Sequence, residues 1–116
     1  MKPRDLVKLL LLASLTSWAR PPVLQKEVQT FLERRESCDH WRGEHGYDKE
    51  RQKDIDWAIC QSCVGTDAEL ARLKRKYQRT APVMEALAPF EPRIEPADKA
   101  ATARFCKSTR RPAAEK

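Results

Sequence analysis

The sequence predicts an all-α protein, a small bundle of four to five short helices stapled by disulfides. Three observations carry that expectation. Apolar residues recur at spacings of three and four along several segments, the spacing of one helix face. No stretch alternates apolar and polar residues over a useful strand length, and no internal repeat is present. Four cysteines stand in a chain of 116 residues that begins like an export leader, a combination that reads as two disulfides.

The leader comes first. Lys2, Arg4 and Lys8 form a basic start, and Leu9 to Leu12 with Ala13, Ser14 and Leu15 an apolar run. Ser17-Trp18-Ala19 puts small residues at the two positions a signal peptidase inspects. Pro21 and Pro22 then stop a leader helix from continuing. Residues 1–19 are therefore expected to be a signal peptide, 20–109 a helical domain and 110–116 a basic flexible tail. A spanning helix needs about 20 apolar residues, more than lie between Lys8 and Arg20. The mature form is expected to carry no transmembrane anchor and to be periplasmic or secreted. No cysteine directly follows the leader, so a lipid anchor is not expected.

The whole chain has 23 Lys+Arg against 17 Asp+Glu, a net charge of +6. Removing residues 1–19 takes away three basic groups and one acidic group, leaving 20 against 16, a net +4. That excess is mild: it is compatible with an anionic surface but defines no partner. A mature domain of this size buries only a small core, and such domains often need covalent support.

From Val23 to Arg35, Leu24, Val28, Phe31 and Leu32 follow helical spacing. Glu33-Arg34-Arg35-Glu36 reads as the solvated end of this helix. Residues 37–47 hold Gly43 and Gly46 with no apolar period and read as a loop. Asp48 is a favoured N-cap for a second helix over 48–61, with Ile55, Ala58 and Ile59 inward, Asp54 and Asp56 toward water, and Trp57 at the core edge. Gly65 suits the left-handed turn that ends it. Thr66 and Glu69 spell a T-x-x-E capping box for a third helix over 67–79, with Asp67 at its dipole-favoured start. Leu70, Leu73 and Tyr77 are its inner face, and Arg72, Lys74, Arg75, Lys76 and Arg79 its exposed one. A fourth helix starts near Thr80 and Pro82, with Val83, Met84, Leu87 and Phe90 inward, and ends before Pro92. A fifth, Ala-rich segment runs from Pro96 to Thr109. Ala97, Ala101 and Phe105 are placed to line its buried side, with Cys106 beside them.

The chemistry-bearing residues crowd between Cys38 and Tyr77. Four cysteines allow three pairings. Cys60–Cys63 is opposed by local structure, since both fall at a helix end and the turn after it. A Cys38–Cys63 bridge would tie the loop start to the turn before the third helix. A Cys60–Cys106 bridge would tie the last helix to the middle one. Read instead as a redox motif, Cys60-Gln61-Ser62-Cys63 lacks the helix N-terminus that stabilises a thiolate, and no βαβ pattern surrounds it. Cys38, His40, Cys60 and Cys63 form an alternative, a tetrahedral zinc site stabilising a helical module. Their ligand types suit zinc, but Cys38-Asp39-His40 is tighter than the usual spacing. His40, Glu44, His45 and Asp48 could be assembled into an acid–base site, but nothing fixes their geometry, and polar loop residues flanking a disulfide are the simpler account. No nucleophile motif, H-E-x-x-H or phosphate loop occurs, so neither an enzyme nor a cofactor is expected. The basic third helix is an electrostatic footprint of the kind nucleic acid attracts. A solvated face is the simpler account, and nucleic acid is not an expected partner.

The strings CDHWRGE, YDKERQ and CVGTDAELARLKRKY resemble a group of small, uncharacterised exported proteins of Gram-negative bacteria, with a C-[DE]-H-aromatic-x-G-E opening and a C-x-G-T-D…L…L…Y close. More distantly, the paired cysteines and the closing L-x-x-L-x-x-x-Y helix are similar to the LprI-type lysozyme-inhibitor family of small helical envelope proteins. The resemblance implies a Cys38–Cys63 bridge, with Cys60 and Cys106 as an additional pair. It also implies an envelope role, with lysozyme inhibition as one specific form.

The expected function is thus an exported, non-enzymatic binding or envelope-accessory protein whose partner is a protein or envelope component. The candidate binding loop is Asp39, His40, Trp41, Glu44 and Tyr47. Trp41 is either a binding anchor or, more simply, a side chain packed against the bridge.

Overall fold

The computed structural model describes residues 23–112. The expected signal peptide, the entry prolines Pro21 and Pro22, and the end of the basic tail lie outside the described residues. Five helices follow one another: α1 (Lys26–Arg42), α2 (Lys49–Cys63), α3 (Thr66–Lys76), α4 (Ala81–Leu87) and α5 (Lys99–Ser108). No strand occurs among the described residues. The all-α, disulfide-stapled bundle is therefore the observed architecture, with α1 against α2 and α3, and α4 against α3.

The largest departure from expectation is the length of α1. It continues past Arg35 to Arg42, so the first part of the expected loop is helix. Its buried residues are Val28, Phe31, Arg35 and Cys38, a spacing of three, four and three along one face. The inward stripe therefore persists, carried by an arginine and a half-cystine in place of aliphatic residues. Arg35 is fully buried and not part of a solvated face. Its Nη2 donates to the Glu91 carbonyl at 2.7 Å and lies 3.3 Å from Asp67 Oδ1. Arg34 is also engaged: its guanidinium donates to the Gln61 and Val64 carbonyls, acceptors that the end of α2 leaves without helical partners.

Asp48 caps α2 as expected, its carboxylate accepting the Arg51 amide at 2.8 Å. Ile55 and Ala58 are buried and Ile59 and Trp57 half-buried. Gly65 turns the chain at φ +88°, where a side chain would be strained. The expected capping box at α3 does not form. Thr66 is already helical and donates its hydroxyl to the Cys63 carbonyl at 2.7 Å. The free amides at the helix start go to Glu95, whose carboxylate accepts from Gly65 at 2.8 Å and Asp67 at 2.9 Å.

Val28, Phe31, Leu70, Leu73, Val83 and Leu87 make one buried cluster, edged by Leu24, Leu32, Tyr77 and Phe90. Phe90 meets Phe31 edge-on at 5.7 Å between centroids, a favoured aromatic geometry. Each fully buried aliphatic side chain contributes about 2 kcal/mol, and few of them oppose the ordering of the backbone. Two disulfides, Cys38–Cys63 and Cys60–Cys106, therefore matter. Bridges of this kind typically stabilise by about 2–4 kcal/mol each. Their sequence order is interleaved, since Cys60 lies inside the loop closed by Cys38 and Cys63.

α5 differs from the other helices. Asp98 caps it, accepting the Ala101 amide at 2.9 Å, so it starts later than Pro96. The expected buried side is not buried: α5 contains no buried residue, Ala97 is exposed and outside the helix, and Phe105 is 50% exposed. Alanines offer too little apolar area to draw the helix inward, and the Cys60–Cys106 bridge holds it against α2.

Candidate functional site

The five candidate binding residues share one end of the molecule but not one loop. Asp39, His40 and Trp41 ride on the last turn of α1, and Glu44 and Tyr47 on the connection to α2. The buried Cys38–Cys63 bridge, with Cα atoms 4.9 Å apart, pins that turn to the end of α2. The connection is tight at Gly46. Its amide donates to Gln52 Oε1 at 3.2 Å, and a Cβ built there would lie 2.8 Å from the Gln52 amide nitrogen.

The polar groups pair locally. Asp39 Oδ1 lies 3.1 Å from Arg42 Nη1. His40 Nε2 lies 3.6 Å from Glu44 Oε1, and the His40 ring meets Trp41 edge-on at 5.1 Å between centroids. Arg51, from α2, places its guanidinium 5.3 Å from the centre of the Trp41 ring, within cation–π range. Trp41 is thus half-buried between a histidine and an arginine. Tyr47 is 85% exposed. The site is a polar and aromatic surface on a covalently fixed base.

The cysteines are fully used. None is free among the described residues, so Cys38, Cys60 and Cys63 offer disulfide sulfurs where a zinc site needs thiolates. Exposed His40 is turned to Glu44. Among the described residues, no group of three His, Cys, Asp or Glu side chains is placed to hold a metal ion.

Sequence reasoning missed a second polar cluster, across α1 and α3. Glu27 takes hydrogen bonds from Arg72 (2.6 Å), Lys76 and Tyr77. Arg72 also holds Glu69 at 2.6 Å. The Lys76, Tyr77 and Arg72 donors bring the Glu27 carboxyl down to about 2. In return Glu27 raises the Lys76 ammonium and the Tyr77 phenol. Two cations of the expected solvated face of α3 thus bind α1. The available signal was an acidic residue in the first turn of α1 opposite a helix rich in cations.

Fold and surface together define a small disulfide-stapled helical protein with one fixed polar-aromatic end. No helix among the described residues is long and apolar enough to cross a membrane. No family model, curated protein or solved structure matches the chain.

Proposed function

We propose that the protein is an exported, non-enzymatic binding protein or envelope accessory that presents the end of α1 and the following turn to a protein partner. The specific form of this reading is lysozyme inhibition. The observation that carries it is Tyr47: a large aromatic left in solvent on a connection tightened at Gly46 and anchored by the Cys38–Cys63 bridge. Aromatic side chains are enriched among residues that dominate binding energy, and a rigid base lowers the ordering cost of association. Two disulfides support an oxidising compartment, and the export-like start of the sequence supports the route to it. The LprI-type resemblance supports lysozyme as the partner.

Two measurements test this reading. Protein expressed with its full sequence and recovered from the cell envelope should lack residues 1–19, and its mass should rise by four hydrogen atoms on reduction of both bridges. Four free thiols with chelator-sensitive zinc would instead establish the zinc-stabilised module. In a lytic assay against vertebrate-type and invertebrate-type lysozymes, micromolar protein should slow lysis, and Tyr47→Ala should weaken that effect by about tenfold or more. Lysis unaffected at micromolar protein removes lysozyme as the partner.

A further inference from the structure

We infer that the Cys60–Cys106 disulfide is a redox latch, whose selective reduction by a dithiol releases α5 and opens the half-buried Ile59 and Ile94 beside it to solvent. The inference is independent of the binding surface proposed above. It rests on how α5 is attached. The helix buries no residue of its own. Two open grooves border it, one of about 460 Å³ lined by Ile59, Val64, Ile94 and Phe105, the other of about 510 Å³ lined by Val64, Ala68 and Pro96. A helix seated over grooves lacks the interdigitated packing of a core. A free helix of ten residues is marginal in water, so the bridge to α2 sustains it.

The two bridges differ in access. Cys38 and Cys63 are both buried, at 0% and 6% exposure, whereas Cys106 is only half-buried. Thiol–disulfide exchange needs a thiolate to reach one sulfur of the bridge, and Cys106 offers that approach. The thiolate of a dithiol attacks Cys106 Sγ and expels Cys60 as a thiolate, leaving a mixed disulfide. The second thiol of the reductant then attacks its own sulfur in that mixed disulfide and expels the Cys106 thiolate. The bridge gains two electrons and, with the reductant's two protons, becomes two thiols. The reductant leaves as a disulfide. Cys38–Cys63 and the α1–α4 cluster stay in place, while α5 unwinds from the face it covered.

Limited dithiothreitol treatment of the purified full chain, trapped by alkylation and mapped by peptide mass, tests the latch. Cys60 and Cys106 should be labelled together, on the order of tenfold faster than Cys38 and Cys63. In that two-thiol species, residues 99–108 should lose amide-exchange protection while 26–63 keep it, and binding of a hydrophobic fluorescent dye should rise. The Cys60→Ala/Cys106→Ala protein should show the same exchange pattern without reductant. Equal labelling of both pairs, or unchanged protection of 99–108 in the two-thiol species, overturns the latch.

Discussion

The side chains of Asp67 and Glu95 each accept the other's backbone amide, although 28 residues separate them. The Asp67 carboxylate also takes the Ile94 amide at 3.0 Å, as Glu95 takes that of Gly65. The start of α3 and the connection before α5 thereby cap one another. Asp67 also receives buried Arg35, so one carboxylate joins α1, α3 and the chain leading to α5.

Glu95→Ala should lower stability by about 1–2 kcal/mol, the usual range for losing a helix cap. Asp67→Ala should cost more, because it also strips Arg35 of its carboxylate. The double variant should fall short of the sum, since each substitution breaks the same reciprocal contact. Urea midpoints of the four proteins give the coupling, and strict additivity would show that the two caps act separately.

Arg35 carries a built-in cost. Its Nε and Nη1 are buried without a hydrogen-bond partner. Arg35→Ala should destabilise by about 3 kcal/mol, leaving a cavity and an Asp67 carboxylate held by the Ile94 and Glu95 amides but without its counter-ion. Arg35→Met fills most of the space and removes the two orphaned donors, so its loss should be clearly smaller. Denaturant unfolding ranks the pair; a Met variant as weak as the Ala variant would mean that the ion pair outweighs its desolvation.

Glycine substitutions should separate by position. Gly65→Ala forces a Cβ into the left-handed region and should cost about 1–2 kcal/mol. Gly46→Ala drives a methyl against the backbone of Gln52 and should displace the turn bearing Tyr47. Gly43 has a right-handed helical backbone, and a Cβ built there would lie no closer than 3.5 Å to its nearest neighbour, the His40 carbonyl, so Gly43→Ala should be near neutral. Thermal unfolding and the Tyr47 ring signals in NMR distinguish the three.

Acid should loosen the α1–α3 contact. The Glu27 carboxyl lies at about 2 in the fold against an ordinary 4.5. Its contribution is complete above pH 4.5 and is lost as pH falls from there toward 2. Glu27→Gln should flatten that part of the stability profile. At the alkaline end, Tyr77 titrates above its ordinary 10.0 because its hydroxyl donates a hydrogen bond to the Glu27 carboxylate. Its contribution holds below pH 10 and fades as pH rises through the elevated value. Tyr77→Phe should remove the phenol's share of the alkaline loss and leave that of Lys76, whose ammonium Glu27 also raises. Melting temperatures across pH at fixed ionic strength check both limbs.

Features with local causes were legible in the sequence. Asp48 caps the amides directly after it, Gly65 turns where a glycine is required, and Leu70, Leu73 and Tyr77 keep their period. The far end of α1 was hidden because its inward stripe passes through Arg35, which hydropathy does not recognise as core, and Gly43 and Gly46 nearby signal a loop. The cap on α3 was hidden for a different reason. Thr66 and Glu69 offered a local solution, but Glu95 supplied the acceptors from a distant segment. At the candidate site, the neighbourhood of Asp39 to Tyr47 was readable from composition. The approach of Arg51 to Trp41 depended on how α2 folds back and was not.

The interleaved bridges also govern what a protease can accomplish. A single backbone cut between Cys38 and Cys63 leaves its fragments joined by that bridge, and a cut between Cys60 and Cys106 leaves them joined by the other. The two spans overlap, so one nick anywhere from Cys38 to Cys106 releases nothing. For a chain rich in Lys and Arg, that overlap keeps a once-cleaved molecule in one covalent piece.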